Sequence, residues 1–390
     1  MPRVTEDVAI VGIGETPVGR LPGMSSVEIQ AQAVLAALAD AGFALSDLDG
    51  IINLDPYATP NSMFSTTLSE YLGVRPRFST TIDVGGTVTG MTMLQQAAWA
   101  IESGFCTVAA CVYGENTLTG RADNTQGLHM QNLLGGEEWE EPFGCQAMVI
   151  PYALVAQRYF DLYGAGPDDL GAVAVTTRAH ALLNDNAQMR KPITLADHHA
   201  SRPISSPLRL LDCSLISDGG GAVILVSGTA ARKRGLRGVR IRSMAMRTTH
   251  NSAAVMPDIS GFGMAEAARD AFASAGVAVS DIDVAQLHDA FTISVLVTLD
   301  ALGFCPPGEA GAYVRSGATS LGGRCPVNTH GGLLSQAHVG GMLHIVEAVR
   351  QLRGAAGRRQ VPDARLAAVS GNGGVFSVCG VMVLEQERAA

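Results

Sequence analysis

The chain has 390 residues, of which 47% are apolar and 16% are charged, enough apolar material to bury a large core in two or more domains. Its 27 basic and 36 acidic residues give a formal net charge of −9, so we expect no broad basic surface and no nucleic-acid partner. No apolar run approaches the roughly 20 residues that span a bilayer, so no membrane partner is expected.

The seven cysteines form no CxxC pair and no His-flanked spacing, so neither a zinc site nor a redox pair is indicated. An odd number of cysteines in a chain of this length is typical of a reducing compartment. The first seven residues include acids and lack the basic and apolar regions of a signal peptide. We therefore predict a cytoplasmic protein with no bound metal.

The first predicted helix is bounded by two local signals. Ser25 and Glu28 have the spacing of a capping box, which fixes its start, and Gly42 is the expected left-handed terminator. Residues 41–49 (AGFALSDLD) recur 234 residues later as residues 275–283 (AGVAVSDID), again after an amphipathic helix. The sequence therefore predicts an internal duplication.

Each copy continues into a short apolar segment, residues 50–54 and 284–287, which is typical of a buried strand. Further on, each half contains a strand-like segment that passes through a glycine-rich turn into a helix, at residues 81–101 and 327–352. Matching Gly90 to Gly341 places Thr87 opposite His338.

The region between the halves, residues 117–207, is less regular and too long for a simple connection, so we interpret it as an inserted loop domain. Residues 219–226 read as a returning buried strand, and residues 231–237 as a charged surface linker. We place the N-terminal half at residues 1–240, including the loop domain, and the C-terminal half at residues 241–390.

Two βαβαβ-type halves on one chain predict an α/β fold with parallel-rich sheets covered by helices and packed about a pseudo-twofold axis. The starts of the two glycine-preceded helices should converge. Such a place favours anionic intermediates, because the N-terminus of a helix carries a partial positive charge.

Three C-terminal segments carry a family resemblance. Residues 287–291 (LHDAF) resemble the HDCF motif of thiolases of the sterol-carrier-protein-type and lipid-transfer branch. Residues 302–309 (LGFCPPGE) resemble its LGLCPxG segment, and residues 328–340 (NTHGGLLSQAHVG) resemble NPSGGLLSKGHPLG. The resemblance implies the thiolase fold, in which two duplicated halves form five αβαβα layers, with an inserted loop domain.

The sequence departs from thiolases at both catalytic cysteines. Thiolases carry a nucleophilic cysteine before the first-half helix, where this chain has Thr87 in residues 87–90 (TVTG). Their second catalytic cysteine lies near the C-terminal glycine cluster, where this chain has residues 370–374 (SGNGG). A thiolate ionises near neutrality, whereas a threonine hydroxyl needs a strong base beside it to become a nucleophile.

The resemblance implies catalytic roles for two histidines. In the family, the histidines at the positions of His288 and His338 donate hydrogen bonds to the thioester oxygen, which stabilises an enolate. An enolate site without a nucleophilic thiol suits an aldol or retro-aldol step, for which His330, His250 and Tyr113 are candidate proton carriers. Relatives of this kind in steroid side-chain degradation carry a tyrosine at the position of His338.

The implied substrate is an acyl-CoA with a bulky apolar acyl group, such as a steroid side chain, and coenzyme A enters as part of the substrate, with no tightly bound cofactor. We assign contacts with coenzyme A to Gly332, Gly373, Gly374 and Arg190. The family also implies a homodimer and a small OB-fold, zinc-ribbon partner protein that helps to hold coenzyme A.

Other interpretations stay open at this point. Thr87 could carry an acyl group in a true acyltransferase, or it could simply cap the following helix. The chain could also be a non-catalytic subunit that binds CoA esters or scaffolds a partner enzyme. The doublet at His198 and His199 is interpreted as a solvated loop, and Cys379 as a core residue.

Overall fold

The computed structural model of the protein describes residues 7–120, 136–256, 258–260 and 262–387. The signal-peptide expectation concerns residues that, apart from Asp7, lie outside this range, as do residues 121–135 of the predicted loop domain. The strands are β1 (Val8–Glu15), β2 (Gly50–Asn53), β3 (Phe78–Thr81), β4 (Val108–Asn116), β5 (Pro203–Ser205), β6 (Leu208–Arg209), β7 (Asp218–Ser227), β8 (Val239–Thr248), β9 (Val284–Gln286), β10 (Leu366–Gly373) and β11 (Val378–Gln386).

The helices are α1 (Ser26–Ala41), α2 (Phe64–Leu72), α3 (Val88–Glu102), α4 (Gly136–Trp139), α5 (Val149–Tyr163), α6 (Pro167–Ala181), α7 (Leu195–Ala200), α8 (Gly228–Lys233), α9 (Met264–Ala275), α10 (Thr292–Leu302), α11 (Ala310–Arg315) and α12 (Met342–Leu352). No helix in the described ranges is both long enough and apolar enough to cross a membrane.

Nine strands form one continuous sheet in the order β3-β2-β4-β7-β1-β8-β11-β10-β9. The two halves meet where β1 pairs with β8 over only two residues, Ala9 with Arg240 and Ile10 with Val239. The strand order on one side of this junction mirrors the order on the other. The duplication predicted from the sequence is therefore present in the topology, and the predicted boundary at residue 240 falls near the start of β8.

The sheet contains more antiparallel than parallel strand pairs, so the prediction of parallel-rich sheets is wrong. Parallel pairing is confined to β2 with β3 and β4, and to β9 with β10. The central strands β4, β7, β1, β8, β11 and β10 pair antiparallel throughout. The antiparallel pairs arise from the order of the chain, because β7 returns antiparallel beside β4 and β11 returns antiparallel beside β10.

The helices form three layers around the two halves of the sheet. Helix α1 packs on the outer face of β1, β4 and β7, and α9 packs on β8 and β11. Helices α3 and α12 contact strands of both halves, so they form the central layer of an αβαβα arrangement. The buried apolar residues divide accordingly into one central cluster and two outer clusters.

The repeated segment has the same structure in both copies. Gly42 (φ 67°) ends α1 and Gly276 (φ 64°) ends α9, each in the left-handed conformation that favours glycine. The Ser25 hydroxyl accepts the Glu28 N–H at 3.4 Å, and the Glu28 carboxylate accepts the Ser25 N–H at 2.8 Å. The predicted capping box is confirmed, and β2 and β9 confirm the two predicted strands.

Two boundary predictions need correction. Helix α3 begins at Val88 and α12 at Met342, so the residues that precede them are Thr87 and Gly341. Thr87 is therefore structurally opposite Gly341 rather than His338. The predicted linker at residues 231–237 is partly helical, because α8 occupies its first half.

Glycine in β1 allows close packing of α1. A Cβ added to Gly14 would lie 2.4 Å from the Ala33 carbonyl oxygen and 2.4 Å from the Ala37 nitrogen, both of them backbone atoms of α1. We expect Gly14→Ala to lower the free energy of unfolding by about 3 kcal/mol, because the helix must move away from the sheet. Gly166→Ala is the control, since no atom lies within 4 Å of its added Cβ. Equal urea midpoints for the two variants would contradict this packing.

Candidate active site

The two central helices begin side by side. A Cβ added to Gly341 would lie 2.5 Å from the Thr87 Cβ, and one added to Gly90 would lie 3.1 Å from Ile345 of α12. The glycines therefore permit a close approach of the two helix starts. The partial positive charges of both N-termini favour an anion at this place, as the sequence predicts.

Thr87 is held by the strand of the other half. Its hydroxyl oxygen accepts the Asn372 N–H at 2.9 Å and lies 3.2 Å from the Asn372 carbonyl oxygen. It also lies 3.0 Å from Nδ1 of His288. The hydroxyl makes no capping hydrogen bond to α3, so the alternative role of Thr87 as a helix cap is wrong.

His288 follows β9 and is fixed through its backbone and its ring. Its N–H donates to the Ser370 hydroxyl at 3.3 Å, and Nδ1 contacts the Thr87 hydroxyl. The side chain is 5% exposed, and burial lowers its pKa well below the usual value, with smaller contributions from His338 and His344. His288 is therefore a neutral imidazole at neutral pH.

His338 lies at the accessible end of the same site. Its Nδ1 is 3.1 Å from the Ser214 hydroxyl, and its backbone N–H donates to the Ser217 hydroxyl at 3.1 Å. The residue is exposed to solvent, but the protein around the ring removes part of its hydration, which lowers the pKa of His338. The negative charge of Asp289 opposes this shift. His338 is also neutral at neutral pH.

The Nε2 atoms of both rings are available to a substrate. Neither atom has a hydrogen-bond partner in the described part of the chain, and each ring is tied through Nδ1 to a hydroxyl group. Ser214, which contacts the His338 ring, donates its backbone N–H at 2.8 Å to the carbonyl of Ala290, two residues after His288. Thr87 contacts His288 directly, and His338 is tied through Ser214 to the segment that carries His288.

His330 is placed elsewhere, in the protein interior. Its ring packs edge-on against His344 with the centroids 4.8 Å apart, and neither of its nitrogens has a hydrogen-bond partner among the described residues. Burial lowers its pKa well below the usual value, with a further contribution from His344. No described contact joins His330 to Thr87, His288 or His338, so its predicted role at the reacting atoms is not supported.

Gly332 serves the fold through a buried carboxylate. Asp289 accepts the Leu333 N–H at 2.8 Å and the Leu334 N–H at 3.3 Å, and its Oδ1 lies 3.2 Å from Nε2 of His344. A Cβ added to Gly332 would lie 1.9 Å from Asp289 Oδ2. The glycine lets the turn that leads to His338 close over Asp289, and its contact with coenzyme A stays a prediction.

The other three residues predicted to contact coenzyme A lie in different surroundings. A Cβ on Gly373 would lie 2.4 Å from the carbonyl carbon of Gly85, so this glycine lets β10 approach the loop before α3. Gly374 (φ 60°) accepts a hydrogen bond from the Tyr152 hydroxyl through its carbonyl oxygen. Arg190 lies on the surface in an ion pair with Asp185 at 2.9 Å.

The other candidate proton carriers are already engaged. The Tyr113 hydroxyl donates to Glu115, and burial raises its pKa well above the usual value. His250 is bonded at both nitrogens, to the Thr249 hydroxyl at 2.8 Å and to the Val375 carbonyl at 3.0 Å. Neither side chain offers a free nitrogen or oxygen to the substrate.

The structure also tests the predicted surroundings of three further side chains, two histidines and one cysteine. His198 is buried, with Nε2 2.8 Å from Asp212 Oδ1, so the prediction of a solvated loop is wrong for it, whereas His199 is exposed and pairs with Asp168. Cys379 is buried within β11, and burial raises its pKa to about 12, which agrees with a packing role.

Sequence reasoning missed Ser214 and Asn372. Nothing in the sequence near Ser214 indicates that its hydroxyl reaches a ring 124 positions away. Asn372 acts through its backbone, which no residue type reveals. Within the described ranges, no group of three or more His, Cys, Asp or Glu side chains could hold a metal ion.

Comparison with known proteins gives consistent similarities. The family described as Thiolase C-terminal domain-like matches residues 245–386. The chain is 36% identical over 356 residues to the 17-hydroxy-3-oxo-4-pregnene-20-carboxyl-CoA lyase of Mycobacterium tuberculosis, which covers 89% of this chain and 91% of the relative. It is 37% identical over 356 residues to the steroid side-chain-cleaving aldolase of Thermomonospora curvata, covering 89% and 90% of the two chains.

Solved structures of an aldolase and of a thiolase are also similar to this chain. The Ltp2-ChsH2(DUF35) aldolase superposes with a TM-score of 0.88 at 34% identity, covering 99% of this chain and 100% of that one. Human mitochondrial 3-ketoacyl-CoA thiolase superposes with a TM-score of 0.74 at 15% identity, covering 98% and 99%, which is a likeness of fold alone.

The buried neutral histidines make stability depend on pH. His330 has a lowered pKa in the folded state, so below about pH 6.5 the unfolded chain binds more protons, and stability falls as the pH falls. We expect a loss of up to ~1.4 kcal/mol per pH unit from His330 alone. In urea unfolding between pH 5 and 7.5, His330→Leu should show a shallower decline than the unmodified protein. The exposed His199→Leu should keep the original slope, and a parallel decline for His330→Leu would contradict the assignment.

Proposed function

The chain belongs to the thiolase superfamily, in its sterol-carrier-protein-type branch, and from this membership we propose that it is a retro-aldolase acting on β-hydroxyacyl-CoA. It would break the bond between the α-carbon and the hydroxyl-bearing β-carbon. The names of the two relatives that match most of the chain, a carboxyl-CoA lyase and a side-chain-cleaving aldolase, support this reaction class.

One observation carries the proposal. Two neutral imidazoles, His288 and His338, leave their Nε2 atoms free beside two helix N-termini, and the place of the thiolase nucleophile is taken by Thr87. Breaking the bond leaves an electron pair on the α-carbon, which becomes an enolate with negative charge on the thioester oxygen. Donors and helix dipoles aimed at this oxygen stabilise that charge.

Acyl transfer through Thr87 is less well supported by the geometry. The hydroxyl oxygen is held from two sides by Asn372 and from a third by His288, and its side chain is only 5% exposed. A nucleophile must leave such contacts to attack a thioester.

We propose a bulky apolar acyl group for the substrate. The names of two relatives, a pregnene-20-carboxyl-CoA lyase and a steroid side-chain-cleaving aldolase, support a fused-ring acyl group.

The function is tested by supplying a β-hydroxyacyl-CoA with a tertiary hydroxyl group and measuring release of the ketone and the shortened acyl-CoA. We expect His338→Ala to lower kcat/KM by about 100- to 1,000-fold, because one oxyanion donor is lost. His199→Ala, an identical change at an exposed histidine, should retain the full rate. Intact-mass detection of an acyl group on Thr87 during turnover would contradict the proposal and favour acyl transfer.

We further propose that a small OB-fold, zinc-ribbon partner helps to hold coenzyme A. The related solved aldolase carries a second component in its name, ChsH2(DUF35). In this chain Arg190 and Arg358 share the single Asp185 carboxylate, so the three side chains keep one net positive charge at the surface. A partner protein would add further contacts to the CoA phosphates.

We also propose a homodimer formed at the edge of the sheet. Strand β3 is the outermost strand of the sheet in the described ranges, and the N–H and C=O groups on its outer side, which have no described strand partner, offer a pairing edge. Phe78 of this strand lies 6.3 Å, between ring centroids, from Phe105, which is 59% exposed, and Trp99 nearby on the same helix-turn unit is 51% exposed. An exposed aromatic group beside a free edge suits a second copy of the chain.

The dimer is tested by analytical ultracentrifugation. Phe105→Asp should convert the protein to the monomer, because a charge replaces the aromatic contact at the proposed interface. Phe143→Asp removes an exposed aromatic ring elsewhere on the surface and should leave the dimer intact. A monomeric unmodified protein, or a dimer that tolerates Phe105→Asp, would contradict the edge-strand arrangement.

A further inference from the structure

The proposed reaction needs a base for the β-hydroxyl group, and the Thr87 hydroxyl indicates which residue provides it. A threonine hydroxyl has one proton to donate and two lone pairs that can accept. Its oxygen has three close neighbours here, namely the Asn372 N–H at 2.9 Å, the Asn372 carbonyl oxygen at 3.2 Å and His288 Nδ1 at 3.0 Å. A buried hydroxyl favours the arrangement that satisfies all three contacts.

Only one assignment of protons does so. The Asn372 N–H donates to the hydroxyl. The Asn372 carbonyl, which also accepts the Thr87 N–H at 3.1 Å, can only accept, so all three contacts of the hydroxyl are kept when its single proton points at that carbonyl. His288 must then donate from Nδ1 to the remaining lone pair of the Thr87 oxygen. A neutral imidazole carries one proton, so the Nε2 of His288 holds a free lone pair.

His338 has the opposite environment. The hydroxyl of Ser214 has no hydrogen-bond acceptor in the described chain other than His338 Nδ1, at 3.1 Å. The backbone N–H of Ser214 donates to the Ala290 carbonyl at 2.8 Å, which fixes the serine beside the ring. Donation from the partly exposed Ser214 hydroxyl to this one protein acceptor leaves Nδ1 of His338 unprotonated and the ring proton on Nε2.

We propose that the two histidines carry opposite tautomers, so that His288 is the general base and His338 the hydrogen-bond donor to the thioester oxygen. This inference rests on the proposed retro-aldol function and deepens it. Thr87 and Ser214 are positioning residues, because each acts only by fixing the proton on the neighbouring ring.

With these two tautomers, every proton and electron pair of the retro-aldol step has a donor and an acceptor. Nε2 of His288 takes the proton of the β-hydroxyl group, and the oxygen electrons form the new carbonyl as the bond between the α- and β-carbons breaks. The electron pair of that bond passes into the enolate, whose oxygen accepts a hydrogen bond from His338 Nε2. The imidazolium of His288 then returns its proton to the α-carbon, which yields the shortened acyl-CoA and regenerates the enzyme.

The structure contains its own references for measuring the tautomers. Leu321 N–H donates to Nε2 of His180, and Nδ1 of the same ring donates to the Val327 carbonyl, so His180 is an Nδ1–H tautomer. Nε2 of His344 faces two acceptors, the Leu287 carbonyl and the Asp289 carboxylate, so this nitrogen is protonated. Both kinds of ring therefore occur in one spectrum.

The test is two-bond ¹H–¹⁵N spectroscopy of the full chain labelled with ¹⁵N-histidine at pH 7.5, with His288→Gln and His338→Gln to assign the two signals. We expect His288 to show an unprotonated Nε2, as His180 does, and His338 a protonated Nε2, as His344 does. Two rings with the same tautomer, or the reverse assignment, would overturn the inference. These results do not depend on turnover, so a failure of the proposed function is recognised separately.

Matched variants test the positioning residues. Thr87→Val removes the acceptor at Nδ1, so the His288 signals should change and kcat should fall by about 100-fold, whereas Thr87→Ser should keep both. Ser214→Ala should alter only the His338 signals, and Ser214→Thr should restore them. If Thr87→Val folds and leaves the His288 signals unchanged, Thr87 has only a packing role and the inference fails.

Discussion

The site depends on one hydrogen-bonded contact between the two halves of the chain. Thr87 stands before the central helix α3 of the first half, and its backbone and hydroxyl both bind Asn372 on β10 of the second half. The same hydroxyl holds the ring of His288, which follows the neighbouring strand β9. A single oxygen atom therefore fixes the relative position of the halves and the orientation of an imidazole. In a thiolase a sulfur nucleophile occupies this position, so the exchange of one side chain turns a reacting atom into a positioning one.

A second buried group performs the corresponding task for His338. The Asp289 carboxylate binds two backbone N–H groups of the turn at residues 332–336, and Ser217 and Ser214 then hold the backbone and the ring of His338. Because the turn closes directly over the carboxylate, only glycine fits at position 332. Each imidazole is thus oriented through Nδ1 by a hydroxyl group from a distant segment, which leaves Nε2 for the substrate. Hydrogen bonds of this kind preorganise a site before the substrate arrives, which is the main way in which an enzyme stabilises developing charge.

Much of the fold was predictable because its signals are local. The capping box at Ser25, the terminating glycines and the repeated segment each depend on neighbouring residues, and the structure confirms all three. The register of the second repeat was not predictable, because glycine-rich turns of different length precede α3 and α12 and shift the match by three residues. The positions of His288 and His338 followed from motif resemblance, whereas the burial of His330 did not, since a motif gives position along the chain and not depth. Ser214 and Asn372 were missed because they act across 124 and 285 residues, one through a common hydroxyl and the other through its backbone.

The central claim is that two neutral imidazoles stabilise and protonate an enolate where no thiol is present. Exchange of the α-protons of a simple acyl-CoA in deuterated water measures this directly, because a product-like thioester can form the enolate but has no bond to cleave. The account predicts that the folded protein incorporates deuterium at the α-carbon, that His338→Ala slows the incorporation by at least about 100-fold, and that the protein mass stays unchanged throughout. Absence of exchange in the unmodified protein, or exchange accompanied by a covalent acyl adduct, would contradict it.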